Sequence, residues 1–168
     1  TTTADCTLSA NDASHATDRA SWLAAIDEIG EEAGYFQTLG AKHWAYFVDE
    51  SPTLLVTFET VDAIRANPDQ LPTGDVVARK HGWSHLCLMA QGPTWYRDPA
   101  VYEFIDGLVD DAFFDAYDQV VFFGAGMAGY AAAAFSVAAP GATVILVQPQ
   151  ATLDPAFAGW DTRFTDHR

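Results

Sequence analysis

The stretch that decides the fold reads Val120-Val121-Phe122-Phe123-Gly124-Ala125-Gly126-Met127-Ala128-Gly129-Tyr130 and continues through an alanine-rich run to Ala139. Apolar, β-prone residues lead into a glycine turn and then into helix formers, which predicts strand, tight turn and helix over Gln119–Ala139. Pro140 and Gly141 stop that helix, and Thr143–Val147 follows as the last strand.

Working back from the turn, Asp98 followed by Pro99 marks a helix start, and Val101, Phe104, Ile105, Leu108 and Val109 supply its buried stripe. His85–Met89 and Leu54–Phe58 read as two earlier strands, the latter being the first strand of the sheet. Strand, helix, strand, helix, strand predicts an α/β fold: a parallel sheet with right-handed crossovers and helices on both faces, a three-layer sandwich. Asp62–Asp75, with Pro68, Pro72 and Gly74, reads as loop with one helical turn near Ala63. Tyr35–Phe47 reads as a short aromatic segment whose Trp44, Tyr46 and Phe47 are packing residues. Asp18 caps a helix carrying Trp22, Leu23, Ile26 and Ile29. Residues 1–17 have little to bury and read as a flexible leader, so the chain is a leader plus a single domain over 18–168.

Composition narrows the function classes. The chain has 168 residues, 49% of them hydrophobic and 18% charged, which is a globular composition. Eight Lys and Arg against 23 Asp and Glu leave a net charge of −15, which repels phosphate backbones and anionic lipid, so nucleic acid is not an expected partner. Cys6 and Cys87 make no disulfide framework. The amino terminus lacks a basic start followed by an apolar run, and no stretch reaches the roughly 18 uninterrupted apolar residues of a membrane span. A cytoplasmic protein without membrane insertion is expected.

The glycine turn admits three readings. Gly124, Gly126 and Gly129 match GxGxxG after a strand and at the opening of a helix, the context of a dinucleotide-binding turn. Against this, Gln148, Pro149 and Gln150 stand where that fold needs a ribose-binding acid, and the unit lies late in the chain instead of opening it. The same construction serves as a nucleophile elbow. With Gln148, Pro149, Gln150, Asp154 and Pro155 downstream and Trp95 and Tyr96 after the second strand, the segment from about Leu54 to Phe164 resembles the α/β-hydrolase-like domains of bacterial polysaccharide and glycosyltransferase systems, which read GSSMGGY, then SPQ and DP. The resemblance puts the nucleophile position on Gly126, which has no side chain. It implies that the Met127 amide and one from the loop after Phe58 would form the oxyanion hole. The acid and histidine would follow later strands, and His167 stands too near Arg168 for that role. In the third reading the glycines serve packing alone.

The resemblance thus implies a pseudoenzyme, a non-catalytic binding or assembly subunit with no cofactor. Its ligand site would be formed by Gly124, Gly126, Met127 and Gly129 with Trp95 and Tyr96. An oxidoreductase fragment is the alternative, and a structural subunit docking through Trp22, Trp44 or Phe113 is a third class. His81 and His85 are four apart, but Gly82 lies between them and no ligand set completes a metal site. Asp110, Asp111, Asp115 and Asp118 lack the alternating spacing of a calcium loop and read as a solvated face.

Overall fold

The computed structural model describes residues 12–168, so Cys6 and most of the expected leader lie outside the described residues. Asp18 caps α1 (Arg19–Ala33), its carboxylate accepting from the Ser21 amide at 2.8 Å. Two strands follow, β1 (Gly34–Leu39) and β2 (His43–Val48), and then β3 (Thr53–Thr60), α2 (Val61–Arg65), α3 (Thr73–His81) and β4 (Ser84–Ala90). The chain continues through α4 (Pro99–Asp110), β5 (Gln119–Ala125), α5 (Met127–Phe135), β6 (Thr143–Val147) and α6 (Pro155–Ala158).

The fold is α/β, as expected, but the sheet is mixed: among the described residues it has six strands in the order β1-β2-β4-β3-β5-β6. The strands around Leu54, Leu86, Val120 and Val144 are parallel neighbours. The departure is the segment taken as merely aromatic, which is an antiparallel hairpin turning at Gly40 (φ 62°) and pairing through β2 with β4. The sheet therefore starts at Gly34, not at Leu54.

Side chains alternate between two cores. On one face Ala45, Phe58, Leu88 and Phe122 meet Val101 and Ile105 of α4 and Ala132 and Phe135 of α5. On the other, Trp44, Tyr46, Cys87 and Met89 meet Trp22 and Ile26 of α1 and Val61 and Ile64 of α2. Trp22 and Trp44 are thus core residues, 0% and 4% exposed, and cannot dock a partner; Phe113 packs half-buried against the first core. Val109, expected in the buried stripe of α4, is exposed. Ala13 and Ala16 are buried in the second core, and the Ala13 amide donates to the Asp69 carbonyl at 2.9 Å, so residues 12–17 are anchored where a free leader was expected. The span read as loop contains the start of α3, whose first amides, Thr73 and Gly74, donate to the Glu59 carboxylate at 2.7 and 2.9 Å. Among the described residues no helix is long and apolar enough to cross a membrane.

Candidate functional site

The connection from β3 to β4 runs over the face of α1 and α2, whereas α4 and α5, after β4 and β5, cover the other. The chain leaves the carboxyl ends of β3 and β5 toward opposite faces, and such a divergence between neighbouring parallel strands opens the crevice where α/β sheets bind ligands. The glycine turn sits at this edge.

Each glycine does a different job. At Gly124 a Cβ would run into the carbonyl oxygen of Ala128, so a bare backbone is what lets α5 fold back onto β5. At Gly129 a Cβ would lie 3.1 Å from Cβ of Pro149, so α5 also closes against the segment after β6. Gly126 is different: its backbone holds φ 57° and ψ −122°, disfavoured for any side chain, yet the space a Cβ would enter is open. The Gly126 amide donates to the Val147 carbonyl at 2.9 Å and its carbonyl accepts from Tyr130, the first bond of α5. No side chain caps α5, so its opening amides, Met127 first, face the crevice end of the sheet. Gln148, in place of a ribose-binding acid, holds a left-handed conformation at φ 46°.

Trp95 and Tyr96 are buried, 2% and 0% exposed, in consecutive left-handed conformations. Trp95 lies edge-on to Tyr130 at 5.6 Å and Phe164 at 5.1 Å, while Tyr96 points at Phe58 and His43 in the core. Both are brought to the carboxyl edge, Trp95 against the first turn of α5 and Tyr96 beneath it. Arg97 completes the link: its Nε and a terminal nitrogen donate to the Tyr130 hydroxyl at 3.1 and 2.9 Å.

Sequence reasoning passes over His43, Thr94 and Arg97 and takes Asp98 only as a helix start. His43, 1% exposed, places Nε2 2.7 Å from the Thr94 hydroxyl and Nδ1 3.8 Å from Asp98. Burial lowers its pKa, Asp98 opposing, so the ring is a neutral tie between the β1–β2 turn and the loop after β4. These residues border a cleft of about 410 Å³ reached also by Lys42 and His167. An isolated His43 gives no sequence signal; Arg97 beside Trp95-Tyr96 was the visible one.

No family model matches the chain, and no curated protein matches it. The chemistry of the site therefore has to be read from its own residues.

The donor atoms of Glu59, His85 and Cys87 lie within 4.8 Å of one another, a set that matches zinc by type. The surroundings do not fit an ion. Both Glu59 oxygens accept amides of α3, and His85 Nε2 sits 2.8 Å from the Thr57 hydroxyl with Gly74 closed against it. Burial raises the Cys87 thiol well above its ordinary value, keeping it protonated. His81 is exposed and stacks on Trp83 at 4.9 Å, away from the buried His85. Asp110, Asp111, Asp115 and Asp118 are all exposed, and Asp154 caps α6.

Proposed function

We propose that this chain is an α/β-hydrolase-like domain that binds at its carboxyl edge without hydrolysing, a pseudoenzyme serving as a binding or assembly subunit in the cytoplasm. One observation carries the reading: the backbone at Gly126 is bent as a nucleophile elbow bends it, with open space where the nucleophile's side chain would stand and no side chain to fill it. The Met127 amide, which would be the oxyanion donor, opens α5, a helix that no side chain caps. The second would come from the loop after β3, which turns at once into α2 under a Thr60 cap. Gly124, Gly126, Met127, Gly129 and Trp95 are then the ligand-facing edge, with Tyr96 supporting it from the core. A fluorophosphonate probe and a short-chain nitrophenyl ester test this: neither labelling nor turnover is expected in the wild type. Covalent labelling of any serine would overturn it.

The GxGxxG spacing favours a second reading, a dinucleotide-binding oxidoreductase fragment. The absence of an acid at Gln148 and the closure of Gly129 on Pro149 count against it. NAD, NADP and FAD are expected to bind no tighter than about millimolar, and a micromolar calorimetric signal with any of them would favour this second reading over the first.

A further inference from the structure

Two of the chain's eight Lys and Arg, Lys42 and Arg97, border the cleft between the β1–β2 turn and the loop from β4 to α4, against one of its 23 acids, Asp98. The local balance of charge is therefore the reverse of the molecule's. Both cations are exposed, and neither pairs with a carboxylate among the described residues. Arg97 gives Nε and one terminal nitrogen to the Tyr130 hydroxyl, which fixes the guanidinium and leaves its other terminal nitrogen over. Asp98 commits Oδ1 to the Ala100 amide at 2.9 Å as the cap of α4, while its Oδ2 faces His43.

The wall of the cleft lacks partners as well. His43, 1% exposed, has no hydrogen-bond partner for Nδ1, and the side-chain oxygen of the half-buried Gln91 has none either. The Thr94 hydroxyl is taken by His43 Nε2 and by the Tyr96 amide at 3.2 Å, so it cannot turn to serve them. Nδ1 and Asp98 Oδ2 are 3.8 Å apart, too far to bond directly, and a single oxygen about 2.8 Å from each fits between them. Buried polar groups left unpaired are costly, which favours an occupant that both donates and accepts. A hydroxyl does both: it serves Nδ1 whichever ring nitrogen carries the proton, and the Gln91 amide whichever way it is turned.

We propose that this cleft binds a small hydroxy-carboxylate, its carboxylate held by Lys42 and Arg97 and a hydroxyl set between His43 and Asp98. Lys42, Arg97 and Asp98 together carry one positive charge, which suits a monoanion; a phosphate dianion would exceed it and meet Asp98. Every lining side chain but that of Pro93 is polar, so the body attached to the carboxylate is polar too. A bare chloride would neutralise the two cations and leave Nδ1 and Gln91 unpaired. The cleft shares no residue with the edge formed by Gly124, Gly126, Met127, Gly129 and Trp95, so its occupation does not depend on what that edge binds.

The test titrates the full chain with glycerate at near-neutral pH and low salt, followed by amide NMR, with propionate, glycerol and inorganic phosphate as comparators. Saturable shifts centred on Lys42, His43 and residues 91–98 are expected. Glycerate should bind at least about tenfold tighter than glycerol, which lacks the charge, and at least about threefold tighter than propionate, which lacks the hydroxyls. Lys42→Gln, a change at an exposed side chain, should weaken glycerate and propionate about three- to tenfold and leave glycerol and the rest of the spectrum unchanged. Glycerate binding that Lys42→Gln does not weaken, propionate or glycerol binding as tightly as glycerate, or phosphate binding more tightly would each overturn the proposal. So would the absence of any saturable shift below about 10 mM in the folded protein, which would mean that the cleft holds water only.

Discussion

Gly124 and Gly126 are two residues apart and fail in different ways when given a side chain. Gly124→Ala forces a Cβ against the Ala128 carbonyl, so β5 and α5 must separate, and a loss above about 3 kcal/mol is expected. Gly126→Ala meets open space and pays only for its backbone conformation, about 1–3 kcal/mol. Urea unfolding of both variants checks the order; a costlier Gly126→Ala would mean that the turn is not built this way. Gly126→Ser should gain no esterase activity, because a lone hydroxyl has no base beside it and triad members act as a unit; a rate well above buffer would reveal a base. A second expectation concerns His85, whose pKa burial lowers to about 3, with Arg79 adding to the shift. The unfolded chain takes up that proton near its ordinary value and the folded chain does not, so stability falls as pH drops below about 6.5, by up to about 1.4 kcal/mol per unit. Burial raises the neighbouring Asp75 and Glu59, which work in the opposite direction as the pH falls further, so the His85 contribution is read in the window just below about pH 6.5. Unfolding across that window should show a shallower slope in His85→Gln than in the wild type, and equal slopes would contradict the burial assigned to the ring. The glycines were legible because turn chemistry is local. His85 was visible only as half of a spacing with His81, since what defines it, Thr57 and Asp75, comes from elsewhere in the chain.

Elements were legible where their signal lay within their own residues. β3 and β4 are continuous apolar runs because both faces are covered, whereas β6, legible from Thr143 to Val147 as an apolar run, is exposed at every residue. The hairpin was missed because five of the six residues of β2 are buried, so no alternation marks it. Helix α3 was hidden behind Pro68, Pro72 and Gly74, since its first amides are satisfied by Glu59 from β3, a cap no local sequence can announce. One element invites a test. Along the edge strand β6, Val144, Ile145, Leu146 and Val147 are 36–47% exposed, and an exposed apolar edge is a template for pairing with another strand. This chain should associate with rising concentration, and Ile145→Lys should suppress that. Sedimentation velocity decides it: a wild type that stays monomeric throughout would rule the edge out as an association surface.

For the whole molecule the dominant long-range quantity is charge. Twenty-three acids against eight basic residues make the folded chain repel itself, and folding brings the like charges closer than the unfolded chain does. Salt relieves this: the screening length falls from about 30 Å at 0.01 M to about 10 Å at 0.1 M, below the spacing of many surface carboxylates. The melting temperature should therefore rise with sodium chloride most steeply below about 0.1 M, each kcal/mol relieved being worth about 2–4 °C for a chain of this size. A general salting-out effect would instead grow steadily at molar concentration, so the shape of the curve separates the two. The exposed run Asp110, Asp111, Asp115 and Asp118 locates part of the repulsion, and changing all four to Asn should raise the low-salt melting temperature and flatten its dependence on salt. Screening also promotes pairing at β6, so the scan belongs in the Ile145→Lys background, where association does not add to the apparent stability. A melting temperature that is flat or falling over the low-salt range would mean that the acidic surface is offset by local pairing and does not strain the fold.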